Sequence, residues 1–396
     1  MTQPLRVALF ADAFHEANGV ATVSREFASF AERRELPFFS VRGGPKTLVV
    51  HHKRSTTVEI KRSRAAFSLD RGLYFDPLLS RYRSWVIAHL RPFAADLVHI
   101  MGPGDMGVLG WWVAHCLKIP LVASWHTNLH EYAGRRLEKF LAFLPERRQR
   151  EISGAVERLS LRACVSFYAR ARFLLAPNQD MVALLEKRTH RPAFLMAHGV
   201  DTEIFSPARC RSRPTTFCIG YVGRLTPEKN VRLLAGLEQR LIDSGHQNFR
   251  VLVVGDGSEK EWLQKNLHSG EFPGILHDTA LADAFASMDV FVFPSRTDTF
   301  GLVLLEALAS GVPVVASAET CTRVGVRHGI TGFFAAEPND FADSVLQLMT
   351  NESIHSKMRS AAREFACLHT WSAAFEDLYR TYQTGLEAVG LARARM

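Results

Sequence analysis

The stretch Pro294-Ser-Arg-Thr-Asp298-Thr-Phe300-Gly301-Leu-Val-Leu-Leu-Glu306-Ala-Leu-Ala-Ser-Gly311 decides the fold class of this chain. It follows residues 290–293, a short run of β-branched and aromatic side chains that predicts a buried strand. After Gly301 it continues into an apolar run whose leucines recur at helical spacing. A strand that leads directly into a helix is the repeating unit of parallel α/β sheets, so the stretch predicts a strand-to-helix junction at a sheet edge.

Two acids stand at this junction, Asp298 at its mouth and Glu306 about two turns into the helix. The unpaired amides at the start of such a helix carry the positive end of its dipole, which suits a phosphate or a sugar oxygen. The amides predicted to do this belong to Thr299, Phe300, Gly301 and Leu302. The alternative is that Asp298 caps the helix and that Glu306 is an ordinary solvated helix residue.

Two further loops repeat the pattern of a strand, a glycine turn and a helix. Residues 220–230 follow a strand-like run and contain Arg224 and Lys229. Another strand, at 251–254, ends in a turn that begins with Gly255. Because the carboxyl ends of parallel strands share one edge of a sheet, where doubly wound folds bind ligands, the three loops are expected to lie together.

These motifs resemble the signature of the retaining glycosyltransferases of family 4 (glycosyl transferases group 1), which have the GT-B fold. The family pattern is Glu-x-Phe-Gly-x-x-x-x-Glu followed by a Gly-x-Pro-Val-Val strand, and here Asp298 replaces the first Glu. The resemblance implies that Arg224 and Lys229 grip the diphosphate of a nucleotide-sugar donor, whose charge two cations stabilise. It implies that Asp298 binds hydroxyls of the transferred sugar, that Glu306 binds those of the ribose, and that the run containing Gly274 passes beside the nucleobase. For Gly274 and its neighbours, core packing is the alternative.

In the first half of the chain, strand-like runs alternate with helical ones and predict a second α/β sheet. Its first loop carries Gly19, which matches the family's glycine loop facing the donor, although an Asn-Gly pair also suits a plain turn. His126 follows the strand at 121–124 and matches the family's histidine beside the transferred sugar and the acceptor hydroxyl. The alternative for His126 is a satisfied interfacial histidine.

With 396 residues, the chain is longer than a domain with a single hydrophobic core usually is, so two domains are expected. The resemblance implies a GT-B architecture, in which two Rossmann-like parallel-sheet domains face a deep cleft and a C-terminal helix crosses back to the first domain. On this basis residues 1–197, with 376–396, form the acceptor-side domain. Residues 198–375 form the nucleotide-sugar donor domain.

The charge of the chain is uneven. Residues 1–200 hold 29 Lys and Arg against 17 Asp and Glu, whereas the remainder holds 19 against 23. The clustered basic residues are Lys53, Arg54, Lys61, Arg62 and Arg64, and Arg135, Arg136, Lys139, Arg147, Arg148 and Arg150. Together with Phe67, Phe140, Phe143 and Leu144 they suit contact with an anionic membrane surface, and solvated helix faces are the alternative.

The six cysteines lack metal-site or disulfide spacing, and the first residues lack a signal-peptide pattern. A cytoplasmic protein is therefore expected. Contact with an anionic lipid surface would place it at the inner face of the membrane. No Asp-x-Asp motif, no metal site, no cofactor and no nucleic-acid partner is indicated. The expected activity is metal-independent transfer of a hexose to a hydroxyl of a lipid or glycan, as in the lipid-directed mannosyl and sulfoquinovosyl transferases. GDP-mannose is the favoured donor and a UDP-sugar the second choice. A non-catalytic nucleotide-sugar binding protein and a GT-B-type epimerase are the alternatives.

Overall fold

The computed structural model describes residues 3–16, 18–70, 73–126, 146–210, 215–296, 298 and 300–390. The chain divides into two compact units. The first unit comprises Met1–Ala197 together with Phe375–Met396, and the second comprises His198–Ala374.

The first unit is built on an eight-stranded sheet in which one edge strand is antiparallel and the other strands are parallel. The strand order is β10-β9-β8-β7-β1-β2-β4-β3, and β5 and β6 form a separate hairpin. The strands of this unit are β1 (Val7–Ala11), β2 (Phe38–Gly44), β3 (Leu48–His52), β4 (Ser55–Lys61), β5 (Phe67–Asp70), β6 (Leu73–Phe75), β7 (Leu97–Ile100), β8 (Leu121–Ser124), β9 (Phe173–Ala176) and β10 (Ala193–Leu195). The central strand β1 is apolar throughout and fully buried, as expected for a strand covered by helices on both faces.

Helices connect these parallel strands. They are α1 (Gly19–Arg33), α2 (Arg83–Phe93), α3 (Asp105–Leu117), α4 (Glu146–Tyr168) and α5 (Gln179–Thr189), with a 3₁₀ turn at Leu79–Tyr82. The first helix begins where Asn18 caps it, since the Asn18 side chain accepts a hydrogen bond from the Ala21 amide at 2.9 Å.

The second unit is a six-stranded parallel sheet in the order β13-β12-β11-β14-β15-β16. Its strands are β11 (Phe217–Val222), β12 (Phe249–Val254), β13 (Gly270–Gly274), β14 (Val290–Phe293), β15 (Val314–Ser317) and β16 (Gly332–Ala335). Counted within the unit, this is the doubly wound order 3-2-1-4-5-6, which reverses direction between β11 and β14. Ligands of such sheets bind at this reversal, outside the carboxyl ends of the strands.

The helices of the second unit lie between and after its strands. They are α6 (Leu233–Asp243), α7 (Lys260–Asn266), α8 (Asp278–Ala286), α9 (Leu302–Ala309), α10 (Ala318–Val324), α11 (Pro338–Thr350) and α12 (Glu352–Leu368), with 3₁₀ turns at Pro207–Arg209 and Pro227–Lys229. A last helix, α13 (Trp371–Ala388), follows them, and its residues from Phe375 onward belong to the first unit.

The expected fold, an α/β chain with two Rossmann-like parallel sheets, is confirmed. The segment 48–75 is the main difference from the sequence-based expectation, because it forms β3, β4 and the hairpin β5–β6, whereas its charges predicted only a basic surface. The strands β3 and β4 do not alternate exposed and buried positions, so a search for a period of two residues does not find them. Among the described residues, no helix is both long and apolar enough to cross a membrane.

Candidate active site

Two loops flank the reversal point of the second sheet. Residues 223–230 follow β11, and residues 294–301 follow β14. The two strands are hydrogen-bonded neighbours, so the loops leave the same sheet edge about 5 Å apart. The cations and the acid predicted from the sequence therefore meet at one place.

Lys229 and Asp298 join these loops through an ion pair. The Lys229 Nζ lies 2.7 Å from Asp298 Oδ1 and 2.8 Å from Oδ2, so the ammonium is shared by both carboxylate oxygens. Lys229 is only 8% exposed, and a buried cation needs such a partner. The predicted diphosphate cation is thus held by the predicted sugar-binding acid.

The main chain at Asp298 is anchored separately. The Arg323 guanidinium, from α10, donates a hydrogen bond to the Asp298 carbonyl oxygen at 2.7 Å. The sequence did not single out Arg323, because it lies 25 positions away and outside any motif. Asp298 is not the cap of α9, whose N-cap is Gly301 in a left-handed conformation with φ of 87°. The capping alternative for Asp298 is therefore wrong.

Arg224 lies at the open side of the same loop. Its side chain is 38% exposed, and its guanidinium is 3.6 Å from the Glu228 carboxylate. The buried Tyr221 hydroxyl donates to the Arg224 carbonyl oxygen at 2.9 Å and holds the turn. The sequence did not indicate Glu228 as a partner of Arg224, because a spacing of four residues brings side chains together on an α-helix and these two residues lie outside one. Arg224 keeps enough exposure to reach an anion in solution.

Glu306 occupies the second turn of α9. Its side chain is half-buried, and burial raises the pKa of its carboxyl from 4.5 to about 7. Within the described part of the chain, no hydrogen-bond donor or cation pairs with this carboxylate. The charged form of such a carboxylate is stabilised when a ligand donates hydrogen bonds to it from hydroxyl groups.

The residues at the start of α9 were predicted to bind the donor through their amides. The Phe300 ring stacks on the His198 ring, with centroids 4.3 Å apart, so its side chain packs within the second unit. Leu302 is the first residue of α9, and the amides of Phe300, Gly301 and Leu302 therefore lie at the N-terminus of that helix. Thr299 lies outside the described residues.

Gly255 and Gly274 shape the loops beside this site. The Gly255 amide donates to the Gly274 carbonyl oxygen at 2.8 Å. A Cβ atom on Gly255 would lie 1.9 Å from the Gly223 carbonyl oxygen, and φ at Gly255 is 142°. Gly274 has a φ of 84° with open space where a Cβ would stand. The structure thus gives Gly255 a packing role, which holds the turn that carries Arg224.

Replacing Gly255 with alanine is expected to lower the free energy of unfolding by about 3 kcal/mol or more, because the methyl group collides with backbone and the conformation disfavours side chains. The matched control is Gly236→Ala within α6, where nothing lies within 4 Å of the new Cβ. That change is expected to be neutral or to stabilise by up to about 1 kcal/mol. Thermal and urea unfolding of both variants measure the difference, and equal stabilities would contradict the close approach of the two loops.

In the first unit, His126 and Gly19 lie at the carboxyl edge of the sheet. His126 follows β8, is 9% exposed, and has its Nε2 2.8 Å from the Ser124 hydroxyl oxygen. Gly19 is the first residue of α1, which follows β1, and it is exposed. Since β7 alone separates β8 from β1, the strand ends that lead to these residues are roughly 10 Å apart.

A buried network at this edge was not predicted from the sequence. The Asp12 carboxylate accepts hydrogen bonds from the amides of Gly104, Met106 and Gly107, at 3.2, 3.0 and 3.2 Å, and so caps α3. Burial, with a smaller contribution from the Asp105 charge, raises the pKa of Asp12 to about 6. In the sequence, the position of Asp12 directly after the first strand could have indicated this network.

Arg62 belongs to the same network. Its guanidinium donates to Asp105 at 3.1 Å and to the Asp12 carbonyl oxygen at 2.9 Å, and its side chain is 14% exposed. The expectation that Arg62 forms part of a basic surface is therefore wrong. Its guanidinium is bound by the Asp105 carboxylate and the Asp12 carbonyl oxygen, which are distant in sequence. Of the other predicted surface residues, 135–145 lie outside the described part of the chain. Among the described residues, no group of three or more His, Cys, Asp or Glu side chains is placed to hold a metal ion.

Comparisons with known proteins place the chain among glycosyltransferases. A family model described as Glycosyltransferase Family 4 matches residues 17–204, and one described as Glycosyl transferases group 1 matches residues 216–351. A GDP-mannose-dependent alpha-mannosyltransferase of Mycolicibacterium smegmatis is 31% identical over 323 residues, which cover 77% of this chain and 77% of that protein.

A sulfoquinovosyl transferase of Arabidopsis thaliana is also 31% identical, over 318 residues that cover 73% of this chain and 56% of that protein. Among solved structures, sucrose-phosphate synthase from Thermosynechococcus elongatus superposes with a TM-score of 0.72 at 18% identity, and covers 98% of this chain and 100% of its own. At that identity the structural likeness concerns the fold alone.

Proposed function

The chain belongs to glycosyltransferase family 4, and we propose that it transfers a hexose from a nucleoside-diphosphate sugar to a hydroxyl group of a lipid or glycan acceptor, with retention of anomeric configuration. The observation that carries the proposal is the ion pair between Lys229 and Asp298, 2.7 Å long, at the reversal point of the second sheet. A cation and an acid held together there suit a ligand that combines a diphosphate with sugar hydroxyls.

Arg224 and Lys229 are assigned to the diphosphate. When the bond between the anomeric carbon and the phosphate oxygen breaks, negative charge develops on the leaving nucleoside diphosphate. Two fixed cations stabilise that charge, and the amides at the start of α9 add to them. The proposal therefore requires neither a metal ion nor a cofactor.

Asp298 and Glu306 are assigned to hydroxyl groups, of the transferred sugar and of the ribose respectively. The acceptor oxygen forms its bond to the anomeric carbon on the face that the diphosphate leaves, which retains the configuration. The acceptor proton passes to the leaving phosphate oxygen, so the products are the glycoside and the nucleoside diphosphate. His126, from the first unit, is assigned to hold a hydroxyl at the reacting centre.

Mannose from GDP-mannose is the favoured donor, and the relative named as a GDP-mannose-dependent alpha-mannosyltransferase supports that choice. A UDP-sugar is the second choice, and the relative named as a sulfoquinovosyl transferase supports the transfer of a sugar other than mannose. A panel of labelled GDP- and UDP-sugars, with lipid extracts and simple glycosides as acceptors, tests the proposal. Transfer with retained configuration, read by NMR of the product, is the expected result.

The same panel separates the two alternative functions. Donor binding without transfer or hydrolysis would indicate a non-catalytic nucleotide-sugar binding protein. Conversion of the donor into its epimer, with no glycoside formed, would indicate an epimerase. Either result would overturn the proposed transfer.

We further propose that the first unit contacts an anionic membrane from the cytoplasmic side. Support comes from its excess of basic residues and from the hairpin β5–β6, where Phe67 is 50% exposed beside the exposed Arg64. Flotation with vesicles that contain anionic lipid should bind the protein at low salt. Equal recovery with neutral vesicles would contradict the proposal.

The donor affinity is expected to depend on pH through Glu306. Burial raises the pKa of this carboxyl to about 7, so it becomes a full acceptor for two ribose hydroxyls only as pH rises through that value. The KM for the donor should therefore fall about tenfold between pH 6 and pH 8. A nucleotide sugar is the right probe, because its diphosphate is esterified at both ends and lacks the second phosphate ionisation near pH 6.

Glu306→Gln is the matched control for this pH dependence, since it preserves shape and removes the titration. Its donor KM should be higher than that of the unmodified protein at pH 8 and flat across the range. A profile in Glu306→Gln as steep as that of the unmodified protein would assign the pH dependence to another group.

A further inference from the structure

Four buried polar side chains form a continuous hydrogen-bonded chain in the first unit. The Tyr382 hydroxyl, on α13, lies 2.7 Å from His99 Nδ1, and His99 Nε2 lies 2.8 Å from the Ser124 hydroxyl oxygen. That oxygen lies 2.8 Å from His126 Nε2. We infer that this chain, the Tyr382–His126 relay, fixes the tautomer and orientation of His126, so that Tyr382, His99 and Ser124 are positioning residues for the transfer.

The buried Tyr382 hydroxyl determines which atom donates and which accepts in each hydrogen bond of the relay. Tyr382 is 0% exposed, and burial raises the pKa of its hydroxyl well above the ordinary value, so it stays protonated and must donate. Among the described residues, His99 Nδ1 is the acceptor that it reaches. Burial lowers the pKa of His99 to about 3, so this ring is neutral and carries its single proton on Nε2.

In the second half of the relay, the distances decide which atom receives the Ser124 hydroxyl hydrogen. His99 Nε2–H donates to Ser124. The Ser124 hydroxyl hydrogen has two acceptors within reach, His126 Nε2 at 2.8 Å and the Ile100 carbonyl oxygen at 3.5 Å, and the closer one, His126, receives it. The neutral His126 ring therefore carries its proton on Nδ1. The opposite direction would leave the buried Tyr382 hydrogen without an acceptor in the described part of the chain, which is costly in a dry interior.

The strand that carries the relay is itself fixed. The Tyr168 hydroxyl donates to the Ser124 carbonyl oxygen at 3.1 Å, and the Trp125 ring packs on the Tyr168 ring with centroids 4.9 Å apart. His99 and Ser124 lie on neighbouring parallel strands, which places their side chains on the same face of the sheet. Backbone and side chain at the end of β8 are thus both constrained.

The inference rests on the proposed function and sharpens the role of His126 in it. A ring with its proton on Nδ1, and with Nε2 already accepting from Ser124, has no ring nitrogen left to take up a proton. His126 therefore orients the reacting centre and does not remove the acceptor proton. The leaving phosphate oxygen remains the proton acceptor.

The first measurement is the tautomer of each histidine in the full-length protein, read from ¹⁵N shifts and two-bond proton couplings of labelled histidine. We expect the Nε2–H form for His99 and the Nδ1–H form for His126. Substitution of each ring in turn by asparagine assigns the signals. The Nε2–H form of His126 in the unmodified protein would overturn the inference, and this measurement needs no substrate.

The second measurement compares Ser124→Ala with Ser40→Ala. Ser40 is also a buried serine in a strand of this sheet, but its hydroxyl has no partner among the described residues. Ser124→Ala should mix the His126 tautomers and lower kcat about tenfold, with the donor KM within about twofold. Ser40→Ala should change neither. Unchanged kcat in Ser124→Ala would overturn the positioning role.

A second pair of variants acts from the far end of the relay, where no substrate reaches. Tyr382→Phe removes the hydroxyl that sets the direction, and we expect a several-fold lower kcat with a mixed His126 tautomer. Tyr379→Phe, one turn away on the same helix, removes a buried hydroxyl without a described partner and should be silent. If the unmodified protein transfers no sugar at all, the proposed function is wrong. The measured tautomers of His99 and His126 would still show whether the relay exists.

Discussion

Replacing Lys229 with alanine is expected to lower kcat/KM for sugar transfer about a thousandfold and to abolish detectable binding of the nucleoside diphosphate. Lys229 is 8% exposed, so its charge acts on a ligand in a weakly screened setting. It is also shared by both oxygens of Asp298, at 2.7 and 2.8 Å, which fixes its position before a donor arrives. Steady-state kinetics and calorimetric titration of the nucleotide measure the two effects.

Lys260→Ala is the matched control for this prediction. Lys260 follows the neighbouring strand β12 in the same sheet, is 32% exposed, and pairs loosely with Asp256 at 3.7 Å. Its loss should change activity by less than about twofold, since exposed ion pairs contribute little. Transfer by Lys229→Ala at a rate within tenfold of the unmodified protein would show that the diphosphate binds elsewhere.

Substituting Asp298 with asparagine is expected to separate transfer from nucleotide binding. The carboxylate that binds the sugar hydroxyls is lost, so kcat should fall about a hundredfold to a thousandfold. The nucleoside diphosphate should bind equally well or up to about tenfold more tightly, because a negative charge is removed from beside Lys229. The loop should persist, since Arg323 holds the Asp298 main chain and not its side chain.

Asp298→Glu is the companion variant, because it restores the acid found in the family pattern and is one methylene longer. It should keep nucleotide binding and either preserve transfer or change the choice of sugar. Simultaneous loss of transfer and of nucleotide binding in Asp298→Asn would mean that the carboxylate mainly holds Lys229 in place. The double variant Lys229→Ala with Asp298→Asn would then be no worse than either single change.

Much of the second unit could be predicted because its elements are local. The strand Val290–Phe293 is a run of large apolar residues, and the helix Leu302–Ala309 begins at a glycine whose φ of 87° suits no other residue well. These features depend on neighbours within a few positions. The loop that carries Arg224 and Lys229 was recognisable for the same reason.

The first unit was less accessible to sequence reasoning. Arg62 was expected at the surface because it stands in a basic run, yet Asp105 and the Asp12 carbonyl oxygen bind its guanidinium and leave its side chain only 14% exposed. The relevant partners are 43 and 50 positions away, so no local pattern records them. The strands β3 and β4 were missed because their exposed and buried positions do not alternate along the chain.

By itself, the sequence determined the α/β class, the strand-to-helix junctions and the residue types at each sheet edge, because strand and helix formation respond to spacing over a few residues. Only the tertiary structure decided which of those residues meet. It paired Lys229 with Asp298, 69 positions apart, and connected Tyr382 to His99, 283 positions apart. The physical reason is that burial selects partners in space: a charge or hydroxyl removed from water must find its complement wherever the chain brings one within reach.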